Sequence, residues 1–158
     1  MNRAEIEGIL SRLESAPARF AALLSSLEDA DAVASVTPGE WSPAEVLAHV
    51  RAANDILEPR IFQVLVRDNP ALLAFDERRW CELARYASLP VTESLNVFRL
   101  RRRELVRALR AIPEAHWQRT GVHETRGTMT LLDLARYIAD HDDEHLAQIE
   151  RAIVRDAT

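Results

Sequence analysis

Lysine is absent from this chain: all 20 basic residues are arginine. That excludes a Schiff-base lysine and a phosphate-binding P-loop lysine. A single cysteine, Cys81, rules out an internal disulfide and a cysteine-built zinc cage. Four glycines and seven prolines are too few for an all-β sandwich, which needs a turn roughly every 8–12 residues. No apolar run approaches the roughly 18 residues of a membrane-spanning helix. The opening residues, Met1 to Glu7, are charged and lack a signal-peptide apolar stretch, so a cytoplasmic protein is expected.

What is present suits a soluble globule. Hydrophobic residues make up 47% of 158 and charged residues 28%. One domain spanning residues 1–158 is expected. Folding at this length hides roughly 68–70% of the unfolded chain's surface, so neither a disulfide nor a structural metal is needed. The net charge of −5 argues against nucleic acid or an anionic membrane surface as the partner. A small molecule is the expected one.

Helical spacing recurs in four stretches. Ile6, Ile9, Leu10, Leu13, Phe20, Leu24 and Leu27 form an apolar stripe over residues 3–29, with Pro17 expected to kink or break the helix near Ala16. Thr37-Pro38-Gly39-Glu40 reads as a turn. Ser42, Pro43 and Glu45 supply the N-cap, first position and capping box of a second helix, with Trp41 placed to staple against Val46. Its stripe is Val46, Val50, Ala53, Leu57, Ile61 and Leu65, and Asn69-Pro70 ends it.

Residues 71–90 have a weaker pattern, in which Glu77 through Tyr86 can form a short helix. A connection this long in a compact domain commonly serves as a lid or pocket wall. The third long helix starts near Thr92, carries Leu95, Phe98, Leu105, Leu109 and Ile112, and closes at Pro113. Trp117, His123 and Gly127 fall in a loop. Thr130-x-x-Asp133 then caps a fourth helix, with Leu131, Leu134, Ala135, Ile138, Leu146, Ile149 and Ile153 on its buried side, running to about Arg155. Four helices of about 20 residues, each about 30 Å long, package as an all-α four-helix bundle.

Six arginines lie between Arg99 and Arg110. Arg99, Arg103, Arg107 and Arg110 share a face that reads as solvated and paired with carboxylates. Arg102 differs, because it lies on the apolar stripe between Phe98 and Leu105. Three roles are open to it: a buried ion pair, a snorkelling stem, or contact with an anionic substrate in a pocket.

His141 and His145 project from one helix face about 5–6 Å apart, near enough to reach one metal ion. They follow Leu134 and Ile138 along the inward face, where an unsatisfied polar group costs about 1–3 kcal/mol. A shared metal ion or internal hydrogen bonds would satisfy them. The segment also spells His-x-x-Glu-His, the pattern of inverzincin peptidases, but the chain leaves no second lobe to enclose a peptide. His49 lies on the second helix's stripe among Val46, Val50 and Ala53, so three of five histidines face one interior. His116 and His123 read as surface or turn residues, with His123 within reach of a pocket mouth.

Trp41-Ser42-Pro43-Ala44-Glu45-Val46-Leu47-Ala48-His49 resembles the second-helix signature of the DinB/YfiT-like superfamily of metal-dependent enzymes. Gly121-Val122-His123, Gly127, Thr130-Leu131-Leu132-Asp133-Leu134 and His141-Asp142-x-x-His145-Leu146-x-Gln148-Ile149 resemble its last loop and fourth helix. The resemblance implies an up-down-down-up bundle, a homodimer, and a divalent transition metal held by His49, His141 and His145. Three imidazoles leave coordination positions open, as a reactive site does. They suit zinc, nickel, copper or iron, with zinc or nickel preferred here.

Such an ion can activate water for hydrolysis or hold a thiolate for transfer. The resembled superfamily includes supposed hydrolases as well as thiol-dependent transferases and isomerases. The expected function is metal-dependent hydrolysis, or transfer of a low-molecular-weight thiol, on a small molecule. The alternative is a non-catalytic metal-binding or ligand-sensing helical module linked to stress responses. Asp142 and Glu144 are each rotated about 100° or more from a neighbouring histidine, so no catalytic base is assigned. Glu45 either orients His49 or is used by its helix cap.

Overall fold

The computed structural model describes residues 2–25, 27, 32 and 40–156. Four of its α-helices start where a side chain satisfies an otherwise unpaired first-turn amide. The Ser42 hydroxyl accepts from the Glu45 amide at 3.2 Å, and the Glu45 carboxylate accepts from the Ser42 amide at 2.8 Å. This capping box opens helix α2, Pro43–Val66. Thr130 and Asp133 repeat the device at 3.1 and 3.0 Å ahead of the last helix, Leu131–Asp156. Helix α1, Arg3–Leu24, is capped by Asn2, whose side chain accepts from the Ala4 amide at 3.0 Å.

The remaining helices are α3 (Glu77–Ala84), α4 (Val91–Ala111) and α5, the last one, with 3₁₀ turns at Tyr86–Ser88 and Glu114–Gln118. Helix α1 runs unbroken through Pro17. The proline removes the amide that would meet the Leu13 carbonyl, while burial of Ala16, Pro17 and Phe20 holds the backbone in place. The expected extension to residue 29 and the turn at 37–39 lie outside the described residues.

Side-chain pairs fix the helix directions. Glu5 meets Arg136, and Arg12 meets Asp140 and Asp143, so α1 and α5 are parallel. Glu7 and Glu14 both meet Arg110 while Phe20 meets Phe98, so α1 and α4 are antiparallel. Arg51 donates to Ser94, and Asp55 pairs with Arg101, so α2 and α4 are parallel. The result is an up-down-down-up four-helix bundle. The expected stripes fill its core: Leu10, Leu13, Leu57, Ile61, Leu105, Leu109 and Ile138 in one cluster, and Phe20, Val46, Val50, Phe98 and Ile149 in another. Among the described residues no helix is long and apolar enough to cross a membrane.

A small sheet was not expected. Strands β1 (Ala71–Leu72), β2 (Thr120–His123) and β3 (Gly127–Thr130) form it, with β1 parallel and β3 antiparallel to β2. Trp117 lies just before it in a 3₁₀ turn, so the expected loop is a turn followed by a hairpin. A side chain at Gly121 would lie 2.9 Å from Leu72 Cδ1 and 3.0 Å from Val64 Cγ2, both in the core. Gly121→Ala should therefore lose about 1–3 kcal/mol through overpacking. Gly8→Ala meets nothing within 4 Å on exposed α1 and should gain about 0.5–1 kcal/mol. Urea unfolding midpoints of the two variants, moving in opposite directions, check this.

Residues 71–90 thus become a strand, a helix and a turn lying across α2. The Tyr86 hydroxyl donates to Asp55 at 2.6 Å, and the Arg51 guanidinium stacks 4.2 Å from the Tyr86 ring.

Candidate metal centre

Ala48 and Val50 are buried beside His49 on α2, and Ile138 and Leu146 flank the histidine pair on α5. Burying those neighbours turns the three imidazoles into the space between the two helices. His141 Nε2 lies 3.2 Å from His49 Nε2 and 3.2 Å from His145 Nε2. One ligand atom from each ring lies within 4.8 Å of the other two. Ligand nitrogens about 2.0–2.1 Å from a tetrahedral zinc ion stand about 3.3–3.4 Å apart. The two 3.2 Å separations from His141 fit that pattern.

The hydrogen bonding points the same way. His145 Nδ1 lies 2.9 Å from Gln148 Oε1, an acceptor, so this nitrogen carries the proton and Nε2 presents a lone pair. Gln148, named in the fourth-helix motif without a role, orients the His145 ring from one turn further along α5. A single N–H on His141 Nε2 can point well at only one of its two neighbours. A cation placed among the three nitrogens would satisfy all of them.

Burial keeps the His49 and His141 rings neutral. Burial, reinforced by His145 and Arg78, pushes His49 down to about 4. Burial, reinforced by His145, His49 and Arg102, pushes His141 down to about 3. Their unfolded values lie near 6.5, so the unfolded chain takes up protons first as pH falls. Metal-free protein should hold this stability above pH 6.5 and lose it toward pH 4. The loss from His49 is on the order of 3 kcal/mol. Urea midpoints of chelator-treated protein at pH 7.5 and pH 5 check this, and His49→Gln should flatten the dependence.

Most carboxylates close in sequence to the three histidines have other partners, while Glu77 on α3 lies within the electrostatic reach of His145. Glu45 serves the α2 cap, Asp143 accepts from Arg12 and Arg19 at 2.8 and 2.5 Å, and Glu144 is exposed. Asp142 is buried and paired with Arg102. Arg102 is itself 1% exposed. It donates to Asn54 at 2.8 Å and lies 3.7 Å from Glu58. Its guanidinium is engaged in this internal network, so of the three roles the structure shows the buried ion pair. Asn54 and Glu58 were missed because each reads singly as a polar residue beside the α2 stripe. Their i, i+4 spacing was the signal.

A cavity of about 310 Å³ reaches His49 and is walled by Trp41, Arg78, Cys81 and Arg85. Residues of α3 therefore form a wall of the site. Burial, with Glu82 and Glu45 nearby, pushes the Cys81 thiol up, so it is not a thiolate nucleophile at neutral pH. His123, expected on the surface, is buried on β2 and lines a second cavity of about 230 Å³ with Tyr137, whose ring centroid lies 6.2 Å from that of His141.

The chain is similar to several known proteins. A protein of Halalkalibacterium halodurans named a "putative metal-dependent hydrolase" is 23% identical over 151 residues, 96% of this chain and 88% of that one. One of the same description from Geobacillus thermodenitrificans is 28% identical over 92% of this chain and 82% of its own length. Among solved structures, YfiT from Bacillus subtilis, a probable metal-dependent hydrolase with an unusual four-helix bundle topology, superposes with a TM-score of 0.84. It is 20% identical, with 97% of this chain and 90% of that chain covered. A mycothiol-dependent maleylpyruvate isomerase superposes with a TM-score of 0.71 at 18% identity, over 90% of this chain and 59% of that one. The sequence pattern of the DinB superfamily matches residues 12–149, and the chain belongs to that superfamily.

Proposed function

We propose that this protein is a metal-dependent hydrolase of a small molecule, with a divalent transition metal, zinc or nickel, held by His49, His141 and His145. The observation that carries the reading is the convergence of three imidazole Nε2 atoms, with 3.2 Å between His141 and each neighbour. A bound ion would supply Lewis acidity and lower the pKa of water. The chain's own contribution is positional. Gln148 holds the tautomer of His145, Trp41 packs its ring 4.8 Å from that of His49, and α3 limits water on the side of the His49 cavity. Three neutral ligands leave the ion's charge uncompensated, which favours an anionic nucleophile or substrate group beside it.

Transfer of a low-molecular-weight thiol is the second reading, supported by the mycothiol dependence of a structural relative. Elemental analysis of untagged protein should find about one transition-metal ion per chain. A panel of esters and amides, and of electrophiles with and without added thiol, then separates the two reactions. Turnover without thiol that is abolished by chelator supports hydrolysis, whereas thiol-dependent turnover supports transfer. Absence of metal overturns both readings. Metal with tight ligand binding and no turnover makes the protein a sensor.

A further inference from the structure

The cavity lined by His123 and Tyr137 has an unusual charge pattern. Of the two arginines buried among the described residues, Arg102 pairs with Asp142 and lies 3.7 Å from Glu58. Arg60 and Arg126, which both line this cavity, pair with none among the described residues. Arg60 is 6% exposed. One of its terminal nitrogens donates to the Leu73 carbonyl at 2.5 Å, while its buried Nε has no hydrogen-bond partner. A guanidinium buried with an unmet donor is a costly arrangement unless something arrives to meet it. Arg102, the other buried arginine, is met by two carboxylates, whereas the Arg60 guanidinium meets none within 4 Å among the described residues and keeps an unmet Nε donor.

We infer that Arg60 and Arg126 form a subsite for the carboxylate of a small apolar monocarboxylic acid, placing the substrate's body toward the histidine centre. The guanidinium fork matches a carboxylate through two parallel hydrogen bonds. The cavity also holds Glu77, so two guanidiniums face one acidic side chain. A net charge near plus one suits a monocarboxylate better than a phosphate dianion. Phe75, Met129 and Tyr137 supply the apolar wall for the rest of the molecule. About 230 Å³ lies below the roughly 300–1,000 Å³ of drug-sized pockets, so the acid is small. Arg126 stacks 4.5 Å from the Tyr137 ring, which neighbours His141. The cavity and the metal centre therefore share a wall.

The subsite's place in the reaction rests on the metal-dependent reading above; its affinity for a carboxylate does not. Calorimetric titration of untagged protein with benzoate, benzamide and inorganic phosphate tests it. Benzoate should bind at least tenfold more tightly than either control. Arg126→Gln, an exposed position, should weaken benzoate at least tenfold while leaving bound metal and the thermal midpoint unchanged, and Arg60→Gln should weaken it likewise. Equal affinity for benzoate and benzamide, or wild-type affinity in the Arg126 variant, overturns the subsite. Preference for phosphate overturns the carboxylate assignment. In cobalt-loaded protein, bound benzoate protons should relax faster than in zinc-loaded protein; equal relaxation detaches the subsite from the metal centre. Benzoate binding in a protein that takes up no metal leaves the subsite standing and removes the metal reading alone.

Discussion

Replacing His141 by alanine should empty the metal centre while leaving the bundle folded. His141 is the shared member of the cluster, with its Nε2 at 3.2 Å from those of both His49 and His145. Without it two imidazoles from different helices remain, and an ion bound to them would have to fill half of a tetrahedral site with solvent. Loss of an outer partner of a ligand already lowers metal affinity about 10–100-fold, so loss of the central ligand should exceed that. Bound metal should fall from about one ion per chain to less than a tenth after dialysis. The fold should persist, because the core clusters of leucine, isoleucine and phenylalanine do not include the imidazole. His116→Ala is the matched control, since His116 sits in the Glu114–Gln118 turn outside the cluster. Elemental analysis with far-ultraviolet circular dichroism reads both variants. Full occupancy in His141→Ala would show that the converging nitrogens are not the ligands.

Much of the bundle was legible because its causes are local. The capping boxes at Ser42 and Thr130 are four-residue patterns, and the stripes of α1, α2, α4 and α5 repeat at helical spacing. The convergence of His49 with His141 and His145 was legible too, since residues on apolar stripes of neighbouring helices must meet in the interior. The small sheet was not. Strand β1 has two residues, and its partner Val122 lies some fifty positions away, so no local periodicity announces the pairing. The same is true of Arg60. Its burial follows from how residues 71–77 fold back over α2, where the Leu73 carbonyl meets it. Sequence drew attention to Arg102 as the arginine on an apolar stripe. Which of its open roles prevailed depended on Asp142 arriving from another helix.

That pairing sets the largest expected stability effect. Arg102 and Asp142 are each 1% exposed, and Glu58 and Asn54 complete the group at 5% and 3%. Burial already pushes the Asp142 carboxyl upward against the attraction of Arg102, so the arginine is what keeps this carboxylate tolerable in the core. The same conflict raises Glu58, with burial ahead of the attraction of Arg102 and Arg101. Arg102→Met removes the shared cation and leaves two buried carboxyls facing each other across α2 and α5. The expected loss is about 3–5 kcal/mol, or about 6–20 °C in thermal midpoint for a chain of this size. Asp142→Asn should cost less, because Arg102 keeps Glu58 and Asn54 as partners. Combining Arg102→Met with Asp142→Leu and Glu58→Leu should recover most of the loss, since apolar replacements of a buried ionic group are often neutral or stabilising. Urea unfolding of the single and combined variants measures the coupling. A loss below about 1 kcal/mol in Arg102→Met would mean that water reaches the network and screens it. The recovered variant also separates stability from function: if metal occupancy stays at about one ion with the ion pair gone, the pair acts only in holding α2, α4 and α5 together. If occupancy falls while the midpoint is restored, Asp142 and Arg102 also position His141, which precedes Asp142 on α5 and feels the charge of Arg102 on α4.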